Sequence, residues 1–494
     1  MARSYEELMG AIGRAMFFRP ERKRVRDLWS REANPALLIG GVEHALFDVS
    51  MNGVSFVTRE GTWEIGRPVE IELRLHDAAV YEGAARVARC EPVPGGNRVA
   101  LALAGGFLDL PEVMRRDEEA RLERELWGGP AATWSLVPAG YADALMQIVH
   151  FVQFYRASLA RHEARYRAEG NASARQLDEL AARAADAMRG PWNELERTAS
   201  RAAMECLTRP EVLRASKAVT ETVLTPLLIE APMIRRSYHK PLGYPGDYQV
   251  MLYYYDNTFE GESVVARVFH KFFVEHPLSN GVRTREQYVV ELMGREMERV
   301  QAARVADPAR GFAVTSLGCG PAREVADFVT TRGAWDGEAH WILIDQEEET
   351  LSVAYRGAQR AIASTGALGS LHCLNLSFAQ LLQEPALMKS VERQDFIYST
   401  GLFDYLREGR AQALIAGLYE RLAPGGLLAI GNALAPNEWF WSPEFVLDWT
   451  LLYRTRDEML RLAAKVAGEP EVEVTVEPGG AYFFLLLRKP ASAA

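Results

Sequence analysis

Three groups of residues have types and spacings suited to chemistry. The first is Gly318-Cys319-Gly320-Pro321-Ala322-Arg323-Glu324, followed further on by Asp345. Glycines let a backbone turn tightly and approach a ligand closely, and an acid at the end of the next strand can accept hydrogen bonds from both hydroxyls of a ribose. The second is Tyr238-His239-Lys240-Pro241-Leu242-Gly243-Tyr244-Pro245-Gly246-Asp247-Tyr248. Its glycines and prolines predict an irregular loop that is more than a connection. Tyr244, Asp247 and Tyr248 are candidates to close over a bound ligand, Lys240 to hold an anion, and His239 to act as a base. The third pairs Arg22 and Arg26 with Asp48-Val49-Ser50-Met51-Asn52-Gly53. Guanidinium forks match phosphate and the O6/N7 edge of guanine. Taken singly, these last two are a solvated basic run and a β-turn.

The elements that position these groups follow from periodicity. Apolar runs at 312–317 and 341–345 flank the glycine turn and a helical stretch, which predicts a strand, turn, helix, strand unit. Further strands are expected at 371–375, 396–399 and 427–430, with helices at 349–364, 411–422 and 455–466 between and after them. The stretches 471–476 and 481–487, joined by Glu477-Pro478-Gly479-Gly480, predict a terminal antiparallel hairpin. Alternating strands and helices imply a doubly wound α/β sheet. Upstream, six short strands at 36–39, 45–49, 54–58, 69–75, 81–90 and 98–104 suggest a small β-barrel. Between them lies a largely helical region, with breaks expected at Gly128-Gly129-Pro130 and Pro191. The resulting multidomain division is 1–110 barrel, 111–236 helical connection or dimerisation region, and 237–494 α/β domain with a lid loop at 238–255.

The paired motifs of the barrel, in this order, resemble the PilZ domain, a β-barrel that binds cyclic di-GMP. The resemblance implies Arg22, Arg26, Asp48, Ser50, Asn52 and Gly53 as the dinucleotide site. From about residue 305 onward the chain resembles the class I S-adenosylmethionine-dependent methyltransferases, with a Rossmann-like sheet closed by a hairpin. Leu317-Gly318-Cys319-Gly320-Pro321 matches their first motif, Asp345 their ribose-binding acid, and Ala423-Pro424-Gly425-Gly426 the approach to their fifth strand. The implied cofactor residues are Gly318, Gly320, Glu324, Asp345, Asn375 (or Leu376 beside it), Tyr398, Ser399 and Thr400. A nicotinamide or flavin dehydrogenase fits less well. Arg323 occupies the third glycine position of its fingerprint, where helix and strand must approach closely.

The run Lys240 to Tyr248, with Gly401-Leu402-Phe403-Asp404-Tyr405-Leu406, is similar to a bacterial group credited with making 3-hydroxypalmitic acid methyl ester, an extracellular factor. The resemblance implies carboxyl methylation of a hydroxy fatty acid. The stretch Trp439-Phe440-Trp441, with Phe445, Trp449, Leu452 and Tyr453, is either packed core or the wall of an acceptor pocket. Arg454 joins Lys240 as a candidate to orient a carboxylate. The alternatives are a non-lipid O- or N-acceptor, or a nucleotide-binding effector that acts through a partner protein without methyl transfer.

Composition narrows the class. A net charge of −10 argues against general nucleic-acid binding. The four cysteines, Cys90, Cys206, Cys319 and Cys373, lack metal-site spacing, which predicts neither a zinc site nor a disulfide scaffold. Arg14 interrupts the most apolar stretch near the N-terminus, so no signal peptide is expected. No apolar run approaches the roughly 18 residues of a membrane span, and the expected location is the cytoplasm.

Overall fold

Alternating apolar residues between 36 and 103 close into a barrel whose interior holds Leu37, Val49, Val54, Phe56, Leu73 and Leu101. The computed structural model describes residues 23–24, 34–59, 63–76, 78–93, 96–170, 173–303, 311–333, 335, 337–376, 380–381 and 392–491. Arg22 and Arg26 lie outside these residues. The chain divides into two compact units, Met1–Ala132 and Thr133–Ala494.

In the first unit, strands β2 (Ala36–Ile39), β3 (Val42–Ser50), β4 (Gly53–Thr58), β5 (Pro68–Leu75), β6 (Ala78–Val93) and β7 (Gly96–Leu103) pair antiparallel in the order β3-β2-β5-β6-β7-β4. Pairing of β4 back onto β3 closes the barrel. This is the expected six-strand architecture, with longer strands than the periodicity marks. The short strand β1 (Lys23–Arg24) lies against β3, with Lys23 opposite Val49 and Arg24 opposite Asp48. Helix α1 (Leu110–Trp134) includes Gly128-Gly129-Pro130, where a break is expected. Proline removes one N–H bond but does not by itself end a long helix.

The second unit opens with α2 (Ala139–Ala168), α3 (Ala174–Cys206) and α4 (Pro210–Val223). Pro191 sits inside α3 rather than restarting the chain. The next residue explains this: Trp192 is buried against Phe269 and Phe272, with ring centroids 5.6 and 5.7 Å away. That burial offsets a loss of about 3 kcal/mol for an internal proline. Helices α5 (Pro232–His239), α6 (Tyr248–Asp256), α7 (Val264–Val274) and α8 (Pro277–Ala303) follow. The irregular part of the expected lid loop 238–255 is therefore shorter, because the residues from Tyr248 onward, Tyr253-Tyr254-Tyr255 among them, form α6.

The sheet that follows has strands β8 (Phe312–Leu317), β9 (Ala339–Asp345), β10 (Gly369–Asn375), β11 (Gln394–Ser399), β12 (Leu422–Ala433), β13 (Glu471–Val476) and β14 (Tyr482–Arg488). Their order is β10-β9-β8-β11-β12-β14-β13. The first five are parallel, and β14 lies antiparallel between β12 and β13. In terms of this sheet alone the order is third, second, first, fourth, fifth, seventh, sixth. This is the doubly wound fold with a terminal hairpin that the sequence predicts. Its reversal point, between β8 and β11, is where such sheets bind ligands. Helices α9 (Arg323–Arg332), α10 (Glu348–Thr365) and α11 (Glu408–Glu420) cover the faces.

The stretch beginning at Trp439 is mostly core. Trp441 and Phe445 are fully buried with the helices, and the Trp441 indole N–H donates to Tyr141 Oη at 3.0 Å. Among the described residues, no helix is long and apolar enough to cross a membrane.

Candidate functional site

A cavity of about 460 Å³ opens at the carboxyl ends of β8, β9 and β11. Its floor is the glycine turn. Gly318 and Gly320 adopt φ of +63° and +53°, a region that strongly favours glycine. The Gly320 N–H donates to Asp345 Oδ2 at 3.0 Å, and the Glu347 N–H donates to Oδ1 at 3.1 Å. The buried Asp345 carboxylate thus ties the first turn to the end of β9. Burial pushes its pKa up, against the pull of those amides.

The other expected cofactor residues divide. Gly318, Gly320, Asp345 and Thr400 line the cavity, and so does Leu376, next to Asn375. Asn375 itself is exposed, and its amide donates to the Asp345 carbonyl at 3.3 Å. Tyr398, Ser399 and Glu324 lie beneath the floor rather than on it. Tyr398 Oη donates to Glu324 Oε1 at 2.9 Å, and Ser399 Oγ donates to the Leu317 carbonyl at 2.8 Å. Tyr398 is fully buried, committed to Glu324, while Thr400 lies just past the end of β11, where the chain reaches the cavity. Glu324 holds α9 to the sheet, as a residue that orders the turn would.

The candidate catalytic loop divides as well. Tyr244 and Tyr248 line the cavity. Burial, then the Asp345 and Glu347 carboxylates, drive the Tyr244 phenol far above its ordinary range. Tyr248 Oη donates to Glu349 Oε1 at 2.5 Å, and burial and that carboxylate push it up to about 12. Both phenols are hydrogen-bond donors at neutral pH, not bases. Asp247 does not line the cavity. It caps α6, accepting from Gln249 N and Val250 N at 3.1 Å, and receives Arg236 Nε at 2.7 and 2.8 Å. Lys240 pairs with Asp448 at 2.6 Å, and His239 is exposed at the end of α5; neither lines the cavity. Arg454 is committed to the carbonyls of Phe403 and Leu406 and to Asn432.

The loop is held against the cavity by close packing. A Cβ at Gly246 would lie 2.8 Å from Trp449 Cη2, and closer still to Cζ2. The Trp449 indole N–H donates to Tyr405 Oη at 2.9 Å. Gly246→Ala is expected to cost about 1–3 kcal/mol by overpacking, read as a fall in the thermal midpoint. An unchanged midpoint shows that the loop does not seat on Trp449.

Further residues line the cavity beyond the site candidates that the sequence marks. Tyr255 and Tyr405 supply aromatic wall, and Arg285 and Asp404 supply charge. Burial pushes Asp404 up to about 6, against Arg285 and the Ala433 N–H. His276 also lines the cavity, but its Nδ1 accepts from the Leu278 N–H at 3.3 Å and its Nε2 reaches Glu196 at 3.0 Å. Both nitrogens are therefore spent. Asp404 and Tyr405 sit within the motif noted after the fourth strand. Arg285 had one signal in the sequence: a charge on the apolar stripe of α8, between Val282 and Val289.

Its neighbour Glu286 is buried beside the acids Glu324 and Asp327. Burial and those charges push it up to about 8. The folded protein then keeps a proton that the unfolded chain releases near pH 4.5. Stability contributed this way falls as pH rises between those two values. Glu286→Gln is expected to raise stability by about 1–3 kcal/mol near pH 8 and to change little near pH 4. Urea midpoints at the two pH values check this; equal effects at both contradict it.

No family model matches the chain, and none of the curated proteins does. Among solved structures, it is similar to a possible exported protein from Bordetella parapertussis, at 17% identity over 57% of this chain and 100% of that one, with a TM-score of 0.36. It is also similar to the magnesium protoporphyrin IX methyltransferase of Synechocystis PCC 6803 with bound SAH, at 14% identity over 52% and 98% of the two chains, TM-score 0.32. A third is the N-methyltransferase NodS of Bradyrhizobium japonicum WM9, at 15% identity over 39% and 88%, TM-score 0.26.

Proposed function

We propose that the α/β region is an S-adenosylmethionine-dependent methyltransferase acting on a small molecule, and that the barrel binds cyclic di-GMP and regulates it. The observation that carries the first half is the Asp345 carboxylate. It lies at the end of the second strand of this sheet, hydrogen-bonded to the amide of Gly320 in the turn that follows β8, the strand beside the reversal point.

When bound, the cofactor supplies a methyl group already activated on a sulfonium. The protein then needs alignment, a dry site and a matched acceptor. Asp345 would hold the ribose, the turn at Gly318 and Gly320 the amino-acid end, and Leu376 the region of the base. Tyr244, Tyr255, Tyr405 and Trp449 wall the cavity and exclude water. A carboxylate acceptor needs no proton removed. The phenols bear pKa values far above neutrality, and His276 is already paired. That supports the resemblance to enzymes that methylate a hydroxy fatty acid.

A second reading rests on Asp404. A carboxylate titrating at about 6 in this cavity can act as a base, which favours a hydroxyl or amine acceptor. Mass spectrometry of acids and lipids incubated with enzyme and labelled cofactor tests the activity. Turnover of fatty acids with Asp404→Asn nearly as active supports the carboxylate acceptor, whereas loss of turnover supports the base. Cofactor binding with no turnover on any acceptor supports an effector that works through a partner.

For the barrel, supporting geometry is partial. Lys23 and Arg24, which fall between Arg22 and Arg26 in the sequence, pair with Val49 and Asp48. Ser50 is buried, its hydroxyl 3.2 Å from both Asn52 Oδ1 and the Gly53 carbonyl, so it shapes the turn. Gly53 is required by packing: a Cβ there would lie 2.6 Å from the Leu101 carbonyl oxygen. Regulation requires the dinucleotide to favour one of two conformations. Turnover measured with and without cyclic di-GMP tests it, and sedimentation tests dimer formation through the helical region.

A further inference from the structure

Among the described residues that line the cavity, Arg285 is the only lysine or arginine. It is buried on the sheet-facing stripe of α8. A guanidinium stays charged at all accessible pH, and a buried charge without a matched partner is strongly disfavoured. Arg285 lacks such a partner in full. Its Nε is buried with no hydrogen bond among the described residues. The carboxylate nearest to its fork is Asp404, with Oδ2 at 3.9 Å from Nη1, beyond hydrogen-bond reach. Asp404 Oδ1 already accepts from the Ala433 N–H at 2.7 Å.

The surroundings hold the fork in place. Its Cζ lies 4.4 Å from the centre of the Tyr482 ring, which supports one face. A side chain at Gly401 would lie 3.0 Å from Nη2, so glycine there leaves room for the guanidinium at the cavity wall. The other candidate cations are spent on Asp448 and on carbonyls. We propose that Arg285 is the carboxylate-binding group of this cavity. The carboxylate belongs either to the amino-acid end of the cofactor or to the methyl acceptor. A planar fork fits a carboxylate in two hydrogen bonds, and the nearby Asp404 disfavours a doubly charged phosphate. The cofactor source rests on the methyltransferase reading; the acceptor source does not.

Calorimetry on the full chain tests this with four probes. S-adenosylhomocysteine and methylthioadenosine share an adenosine, but only the first has a carboxylate. Decanoate and decanamide differ likewise. Arg285→Met is expected to weaken S-adenosylhomocysteine (cofactor source) or decanoate (acceptor source) by about 10- to 100-fold, sparing methylthioadenosine and decanamide. Arg285→Lys, which keeps the charge without the fork, is expected to lose less, and it replaces the methionine variant if that fails to fold. Unchanged affinity for both carboxylates, in a variant that still binds methylthioadenosine, overturns the proposal. A wild type that binds neither adenosine probe overturns the methyltransferase reading instead, and the decanoate pair still decides Arg285.

Discussion

Asp345→Ala is expected to weaken S-adenosylhomocysteine binding by about 2–4 kcal/mol, roughly 30- to 1,000-fold. Two losses combine. The ribose hydroxyls lose their charged acceptor, and the Gly320 and Glu347 amides lose theirs. The second loss loosens the turn that brings the backbone to the ligand, so the effect exceeds that of one contact. Asp345→Asn keeps one oxygen and should fall between wild type and alanine. Burial raises the Asp345 pKa, so affinity should also decline as pH falls toward the carboxyl range, where protonation removes the acceptor. Calorimetric titration reads all three. An alanine variant that binds as tightly as wild type means that the cofactor site lies elsewhere.

Arg22→Ala is expected to lower cyclic di-GMP affinity more than 100-fold, by about 3–4 kcal/mol. One guanidinium fork serves phosphate or a guanine edge by two charge-assisted bonds at once, so alanine removes both together. The neighbouring Lys23 and Arg24 lie against β3 opposite Val49 and Asp48. Those two residues therefore sit beside the strand that carries Asp48 and Ser50. The wild type must first bind the dinucleotide in calorimetry; no heat of binding there ends the sensor reading. Asn52→Ala, on the exposed turn, should cost less, and S-adenosylhomocysteine binding should be unaffected by either change.

Much of the architecture was legible because it depends on local periodicity. Six barrel strands and the strand and helix alternation after residue 312 follow from side-chain spacing alone. The hairpin at β13 and β14 follows from its short turn. Two prolines misled, since a break signal is local while the packing that overrides it is not. Pro191 is carried through α3 by the burial of Trp192 on Phe272. The aromatic run from Trp439 read equally as wall or core, and contact with Tyr141, three hundred residues earlier, made most of it core.

For the site, residue type and order alone determined the glycine turn and Asp345, because a tight turn needs glycine and a strand end presents its last acid. They also marked Tyr244 and Tyr248. They did not separate groups that face a ligand from groups that hold the frame. Asp247, Lys240 and Tyr398 have the right chemistry, yet each is committed to a cap, an ion pair or a buried acid. Arg285 had no motif, only a charge on an apolar stripe. The tertiary structure decided between them, because a side chain's availability depends on which partners the fold brings within hydrogen-bond reach, and those partners are distant in sequence.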